Sequence, residues 1–237
     1  MRSSPRTAPR RYVPPRSTSV PAVLEAALRI ADNEGLEALS MRRLAEDLGI
    51  GAMTLYRYVA TKDELFDKMV IAVLGDLGCA PGPRLSWQQQ LTEVTAALHD
   101  KLRTHPGVTE IILTRALPTP AFDRYRESIL AILRGAGFPV ETAVDALTSL
   151  TCYAIGYAHV ERVRRDENHD RSEARRLTSL SPQQYPHLVE AAAVYPGHLR
   201  ARAFDTGLAQ MLDGLERQRV SMVVNKTADG IPRNSHT

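Results

Sequence analysis

The chain is short of cysteine, of aromatic residues and of long apolar runs, and each shortage removes a class of protein. Cys79 and Cys152 are the only cysteines in 237 residues. They lie far apart and outside any CxxC or Cys/His spacing, so neither a disulfide framework nor a structural zinc is expected and a reducing cytoplasm fits best. No stretch approaches the roughly 18 apolar residues that cross a bilayer, and the arginine- and proline-rich start lacks the apolar segment of a signal peptide. A cytoplasmic protein with no membrane partner is the expectation. Acidic residues are missing before Glu25, whereas Arg2, Arg6, Arg10, Arg11 and Arg16 all precede it. With 43% hydrophobic and 24% charged residues, the remainder has ample material for a folded core, which excludes disorder throughout.

Strand patterns are also lacking, since strict alternation never persists for more than a few residues. Helical periodicity is present almost everywhere. Residues 1–19 read as a disordered basic arm, with Pro5, Pro9, Pro14 and Pro15 and almost nothing to bury. From Val20, the stripe Leu24, Ala27, Leu28 and Ala31 predicts an amphipathic helix ending near Gly35. Ser40 caps a short second helix that Gly49 stops, and Gly51 closes a tight connection to a third, from Met53 to Tyr58. A fourth helix follows from Thr61 to about Leu77, broken by the Pro/Gly-rich segment 78–86. Further helices are expected over Trp87–Arg103, Val108–Thr114, Ala121–Arg134, Val140–Arg164, Pro182–Val194 and Leu199–Arg219. Residues 164–176 are almost wholly polar and read as a solvated loop, and the tail after Val220 has no periodicity.

Two short helices joined by a compact turn can present the second to a DNA major groove about 12 Å wide. Gly49 and Gly51 supply the turn, Leu44, Leu48, Leu55 and Val59 a small core, and Arg42, Arg43, Thr54, Tyr56, Arg57, Tyr58 and Lys62 the polar reach. Catalysis has no comparable support. The seven histidines show no metal-ligand spacing, no serine sits in G-x-S-x-G, and Gly135-Ala136-Gly137 follows no strand. No enzyme, no metal and no cofactor are expected.

The run G-L-x-x-L-S-M-R-x-L-A-x-x-L-G-I, followed by T-L-Y-x-Y-V-x-x-K-x-E-L, resembles the DNA-binding region of the tetracycline-repressor (TetR) family of bacterial regulators. Residues 137–156 and 204–218, with Ser86-Trp87 and Thr114-Arg115, are similar to the C-terminal domain of the tetracycline repressors. The resemblance implies an all-α fold: a three-helix helix-turn-helix domain at 20–66, then a larger ligand-binding and dimerisation domain at 67–219, starting within the linker helix 61–77. A flexible tail at 220–237 would follow.

It further implies that Arg42 reaches a base edge, that Met53 and Thr54 read bases or thymine methyls, and that Tyr56, Tyr58 and Lys62 anchor phosphates of double-stranded operator DNA. Arg57, at a position that varies in the family, is the candidate for operator choice. A homodimer through helices 140–164 and 199–219 would set two heads on a palindrome. The other helices would enclose a small-molecule inducer. Its polar contacts are sought among Thr95, His99, Thr114, Arg115, Ser128, Thr148, Thr151 and Tyr153, with Ile111 and Leu147 in the wall. Tetracycline repressors place a magnesium-binding histidine where this chain has Ile111, so the expected inducer is a different apolar or aromatic compound. The family's habit favours a repressor; an activator, or a ligand-binding helical protein of this fold without DNA-regulated induction, is the alternative.

Charge adds one tension. Residues 20–77 hold six basic side chains against ten acidic ones, a net −4 beside an arm of +5. The arm either supplies phosphate contacts that the head lacks or is a solubilising tail.

Overall fold

In the computed structural model, the described residues are 18–77, 85–115, 120–163, 167–194 and 203–229. Most of the basic arm, most of the 78–86 break and most of the turn 117–120 therefore fall outside them, while Ser19, given to the arm, caps the first helix. No strand occurs among the described residues.

The head is built from α1 (Val20–Glu34), α2 (Met41–Leu48) and α3 (Ala52–Leu55). Helix α1 buries Val23, Ala26, Ala27, Ile30 and Ala31, one face at helical spacing. The Ser40 hydroxyl accepts from Arg43 N–H at 3.1 Å and starts α2. Gly49 ends α2 at φ 67, left-handed backbone that glycine adopts without a Cβ clash, and Ile50 N–H returns to the Ala45 carbonyl at 3.0 Å. The turn delivers α3, whose only buried side chain is Leu55. This helix is shorter than the periodicity suggests: Arg57 and Tyr58 N–H bond back three residues, to Thr54 and Leu55, tightening the chain out of α geometry.

Helix α4 (Lys62–Leu74) is capped by Thr61, whose hydroxyl accepts from Glu64 N–H at 3.0 Å, while the Glu64 carboxylate accepts from Ala60 N–H at 2.7 Å. It buries Leu65, Phe66, Met69, Val70, Val73 and Leu74 and carries the head's core into the rest of the molecule.

The larger part comprises α5 (Trp87–Thr104), α6 (Pro106–Thr114), α7 (Pro120–Gly135) and α8 (Val140–Val163), with α11 (Ala203–Asp229) packed on α5 and α8. Ser86 and Gln89 form a reciprocal capping box at the start of α5. Helix α8 buries Ala143, Ala146, Leu150, Ala154 and Ala158, a stripe of mostly small residues that admits α5 closely. The helix α6 lies between α1, α4 and α8.

Three expectations are corrected. Residues 164–176 are not a loop throughout, because α9 (Glu167–Thr178) covers most of them. Its charges sit at helical spacing, as in the Glu173–Arg176 pair at 2.7 Å, and Leu177 anchors its end by burial. The expected helix from Pro182 is reduced to α10 (Pro186–Ala191): proline fits only a first turn, so Pro186 opens the helix and Pro182 lies in the turn before it. The tail is helical to Asp229, because no glycine or proline interrupts residues 220–229.

Candidate DNA-binding surface and buried polar site

Helix α3 holds its neighbours in place through Leu55 and, just beyond it, Val59, both buried, while every other residue of α3 faces out. Met53 is 82% exposed, a large apolar side chain with no protein surface to cover. Thr54, Tyr56, Arg57 and Lys62 are exposed beside it, with Tyr58 half-buried against the core. The Lys62 ammonium lies over the Phe66 ring at 5.3 Å, which fixes its stem and leaves the charge in solvent. Arg42 is 89% exposed and pairs with Glu46 at 2.9 Å across one helical turn; that carboxylate holds the guanidinium above its ordinary pKa. Surface pairs of this kind contribute little, so a phosphate or base can take the place of Glu46.

Arg43 is placed differently. Its guanidinium spans Glu34 at 2.9 Å and Asp47 at 3.5 Å, and Asp47 also binds Arg29, so it stitches α2 to α1. Arg57 forms no ion pair among the described residues. Of the six basic side chains in residues 20–77, four are thus held by carboxylates of the same segment, Lys68 through Glu64 at 3.5 Å included, and Arg57 and Lys62 are the cations without a carboxylate partner among the described residues.

Buried polar groups also lie on α5, α7 and α8, those of α5 and α8 against Phe204 at the start of α11. The Thr95 hydroxyl, fully buried, has no hydrogen-bond partner among the described residues, nor do the Tyr157 hydroxyl and Nε2 of His99. His99 Nε2 lies 3.2 Å from a Glu161 carboxylate oxygen, outside the alignment of a hydrogen bond. The His99 ring stacks on Phe204 at 3.9 Å between centroids, and Tyr157 meets both rings edge-on. Tyr153 closes the group, its hydroxyl donating to the Phe204 carbonyl at 2.9 Å. Tyr125 of α7 is fully buried, its hydroxyl near that of Thr151 but without a well-formed partner, and burial pushes its pKa up to about 12. Burial also raises Tyr157 and lowers His99. Near neutral pH these groups are uncharged donors and acceptors in an apolar, aromatic setting, and each buried group left unpaired costs about 1–3 kcal/mol.

The expected ligand residues separate on this geometry. His99, Ser128 and Thr151 lie on the faces that α5, α7 and α8 turn toward one another, with Ser128 donating to the Tyr125 carbonyl at 3.0 Å and Thr151 to the Leu147 carbonyl at 2.7 Å. Leu147 is half-buried. Thr114 and Thr148 are exposed and return their hydroxyls to their own helices. Ile111 is fully buried among apolar side chains and offers no donor atom. Arg115 points at the linker helix: it pairs with Asp63 at 2.6 Å and covers the Phe66 ring at 4.9 Å.

The model of the tetR family of bacterial regulatory proteins matches residues 23–69, and that of the tetracyclin repressor-like C-terminal domain matches residues 80–219. The chain belongs to the TetR family. It is 32% identical to the HTH-type transcriptional repressor DrrR1 of Streptomyces coeruleorubidus over 86% of this chain and 79% of that one. It is 31% identical to the class E tetracycline repressor protein of Escherichia coli over 84% of this chain and 92% of that one. Among solved structures, apo ActR from Streptomyces coelicolor superposes with a TM-score of 0.72 at 28% identity, covering 89% of this chain and all of that one. ActR in complex with actinorhodin superposes equally well, at 0.72 and 27% identity, over 86% and 99% of the two chains. These relatives are regulators of transcription or structures of the same fold, and this TetR-family chain is a helix-turn-helix DNA-binding regulator. No helix among the described residues is long and apolar enough to cross a membrane.

Sequence reasoning missed Tyr125, Tyr157, Glu161 and Phe204 as members of the buried site. The repeat of Tyr153 at Tyr157 was a usable signal, since residues four apart share a helix face. For Tyr125 there was none, because an aromatic residue on an apolar stripe reads as core.

Proposed function

We propose that this protein is a repressor that binds a palindromic operator as a homodimer and releases it when an aromatic, oxygen-bearing compound enters the site between α5, α7 and α8. The observation that carries the reading is the set Thr95, His99, Tyr125 and Tyr157, whose buried hydrogen-bonding atoms have no partner among the described residues, with His99 stacked on Phe204. A planar ligand with phenol, quinone or ketone oxygens would answer those atoms and the rings together. The actinorhodin complex of ActR supports the ligand class, and DrrR1 supports repression. Ile111, where a magnesium-binding histidine would stand, directs the reading away from a metal-chelated tetracycline.

Met53, Thr54 and Arg57 take the base-reading role and Lys62, Tyr56 and Tyr58 the phosphate contacts, with Arg42 joining from α2. Arg43 is assigned to holding α2 against α1. Pairing is assigned to α8 and α11, which run side by side and leave Val140, Val144, Val220 and Val224 exposed, apolar surface that a second copy would cover. The ligand then acts by linkage, lowering DNA affinity by its differential preference for the form whose heads are wrongly spaced.

The test is a gel-shift with DNA from upstream of the protein's own gene, titrated with a panel of aromatic polyketides. Release by at least one compound, abolished in Tyr157→Phe/His99→Ala but with DNA binding kept, is expected. Compounds that shift the melting temperature without releasing DNA would refute the repressor reading.

A further inference from the structure

We infer that Asp32 is the residue that sets the angle of the DNA-binding head on the rest of the molecule, by gripping the start of α6. Asp32 sits in the last turn of α1, within the head, yet both its carboxylate oxygens are engaged outside it. One accepts from Gly107 N–H at 3.0 Å and the other lies 2.8 Å from Nδ1 of His105. Both partners belong to the first turn of α6 or the residue before it, where the amides are unsatisfied by the helix and the helix dipole favours a carboxylate.

The grip is close because Gly107 has no side chain. A Cβ added there would lie 2.5 Å from the Ala31 Cβ, too near for any real contact, so α6 touches the backbone of α1 directly. The far end of α6 is tied to the head too, through Arg115 on Asp63 of α4 at 2.6 Å. Between the two ends, Glu110 faces Arg162 of α8 at 3.5 Å. Helix α6 is therefore a strut with the head fastened at both ends and α8 at the middle. Asp63 is exposed and its pair is worth little, whereas Asp32 is mostly enclosed, so the Asp32 end fixes the geometry.

This inference rests on the reading that two heads bind one duplex. Head angle then becomes half-site separation, and Asp32 is a positioning residue that touches no DNA. The experiment compares the natural upstream site with versions carrying one base pair inserted or removed at its centre, for the full-length wild type, Asp32→Ala, Asp32→Asn and Gly107→Ala. The wild type should prefer the natural spacing by about tenfold or more. Asp32→Ala and Gly107→Ala should bind all three spacings within about threefold of one another. Asp32→Asn keeps an acceptor for Gly107 N–H and should fall between. If Asp32→Ala is too unstable to assay, the other two variants decide. A folded Asp32 or Gly107 variant that keeps the full spacing preference, or that loses affinity equally at every spacing, overturns the positioning role. A wild type with no spacing preference overturns the two-headed reading itself.

Discussion

Thr61 and Thr95 carry the same hydroxyl into opposite circumstances. Thr61, at the head's edge, accepts from Glu64 N–H and starts a helix; Thr95, buried in α5, has nothing to bond among the described residues. The contrast extends to the regions around them. In the head, Ser40, Thr61, Glu64 and the Arg29–Arg43–Asp47–Glu34 network are partnered, and what faces outward is a set of side chains for another molecule's surface. In the sensor, the atoms that lack a partner among the described residues are inside. The head is complete and displays; the sensor is incomplete and encloses. A displayed surface keeps one shape regardless of its partner, whereas an enclosed unsatisfied site gains stability when filled.

The largest test of this contrast is Leu55→Ala. Leu55 is fully buried and is the sole inward side chain of α3, so a cavity there should cost about 2–5 kcal/mol and abolish DNA binding, read by chemical denaturation and gel-shift. The same truncation at the half-buried Leu147 of the sensor should cost less and leave DNA binding intact. Equal losses would remove the distinction between a finished head and an adaptable sensor.

Next come the outward cations. Lys62→Ala should weaken operator and random DNA alike, by about tenfold, because a phosphate contact carries no sequence information. Arg57→Ala should narrow the gap between operator and random DNA, since a base contact is worth about 1–3 kcal/mol of discrimination. Arg43→Ala should instead appear as lost stability, because its charge is spent on Glu34 and Asp47. Equal losses on operator and random DNA for both Arg57→Ala and Lys62→Ala would sink the assignment.

What was legible follows the same divide. The head could be read because its signals are local: Ser40, Gly49, Gly51 and Thr61 mark ends within a few residues, and the apolar stripes between them have one period. The roles of Arg42 and Arg43 could not be separated in sequence, where they are adjacent and identical; only the approach of Glu34 and Asp47 does so. Arg115 looked like a ligand contact because it follows an apolar helix, but Asp63 lies 52 residues earlier and nothing local announces the pair. Helix α9 was invisible because its order comes from paired charges and one apolar anchor, not from a stripe.

Hydroxyl removal gives the sharpest comparison of sign. Thr61→Ala should cost about 1 kcal/mol, the usual loss of a helix cap. Thr95→Val keeps the shape and removes an unpaired polar group, so it should leave stability unchanged or raise it by up to about 1 kcal/mol. Tyr125→Phe should behave like Thr95→Val. Losses from all three, measured by urea denaturation of the ligand-free protein, would mean that the sensor's hydroxyls are as fully paired as the head's.

The smallest expected effect is the dependence on acid. Burial lowers the pKa of His99 below its ordinary 6.5, with Glu161 opposing the shift. A histidine depressed in the folded state takes its proton more readily when unfolded, so folding loses stability as pH drops below about 6.5 and the loss levels off once the folded state is protonated as well. Above that range both states are neutral and His99 contributes no slope. His99→Gln should flatten the fall between about pH 6.5 and the folded-state value while leaving the neutral-pH plateau near its original height. The head holds no histidine, so this loss of slope belongs to the sensor. An unaltered slope in His99→Gln would mean that the buried site is indifferent to protons.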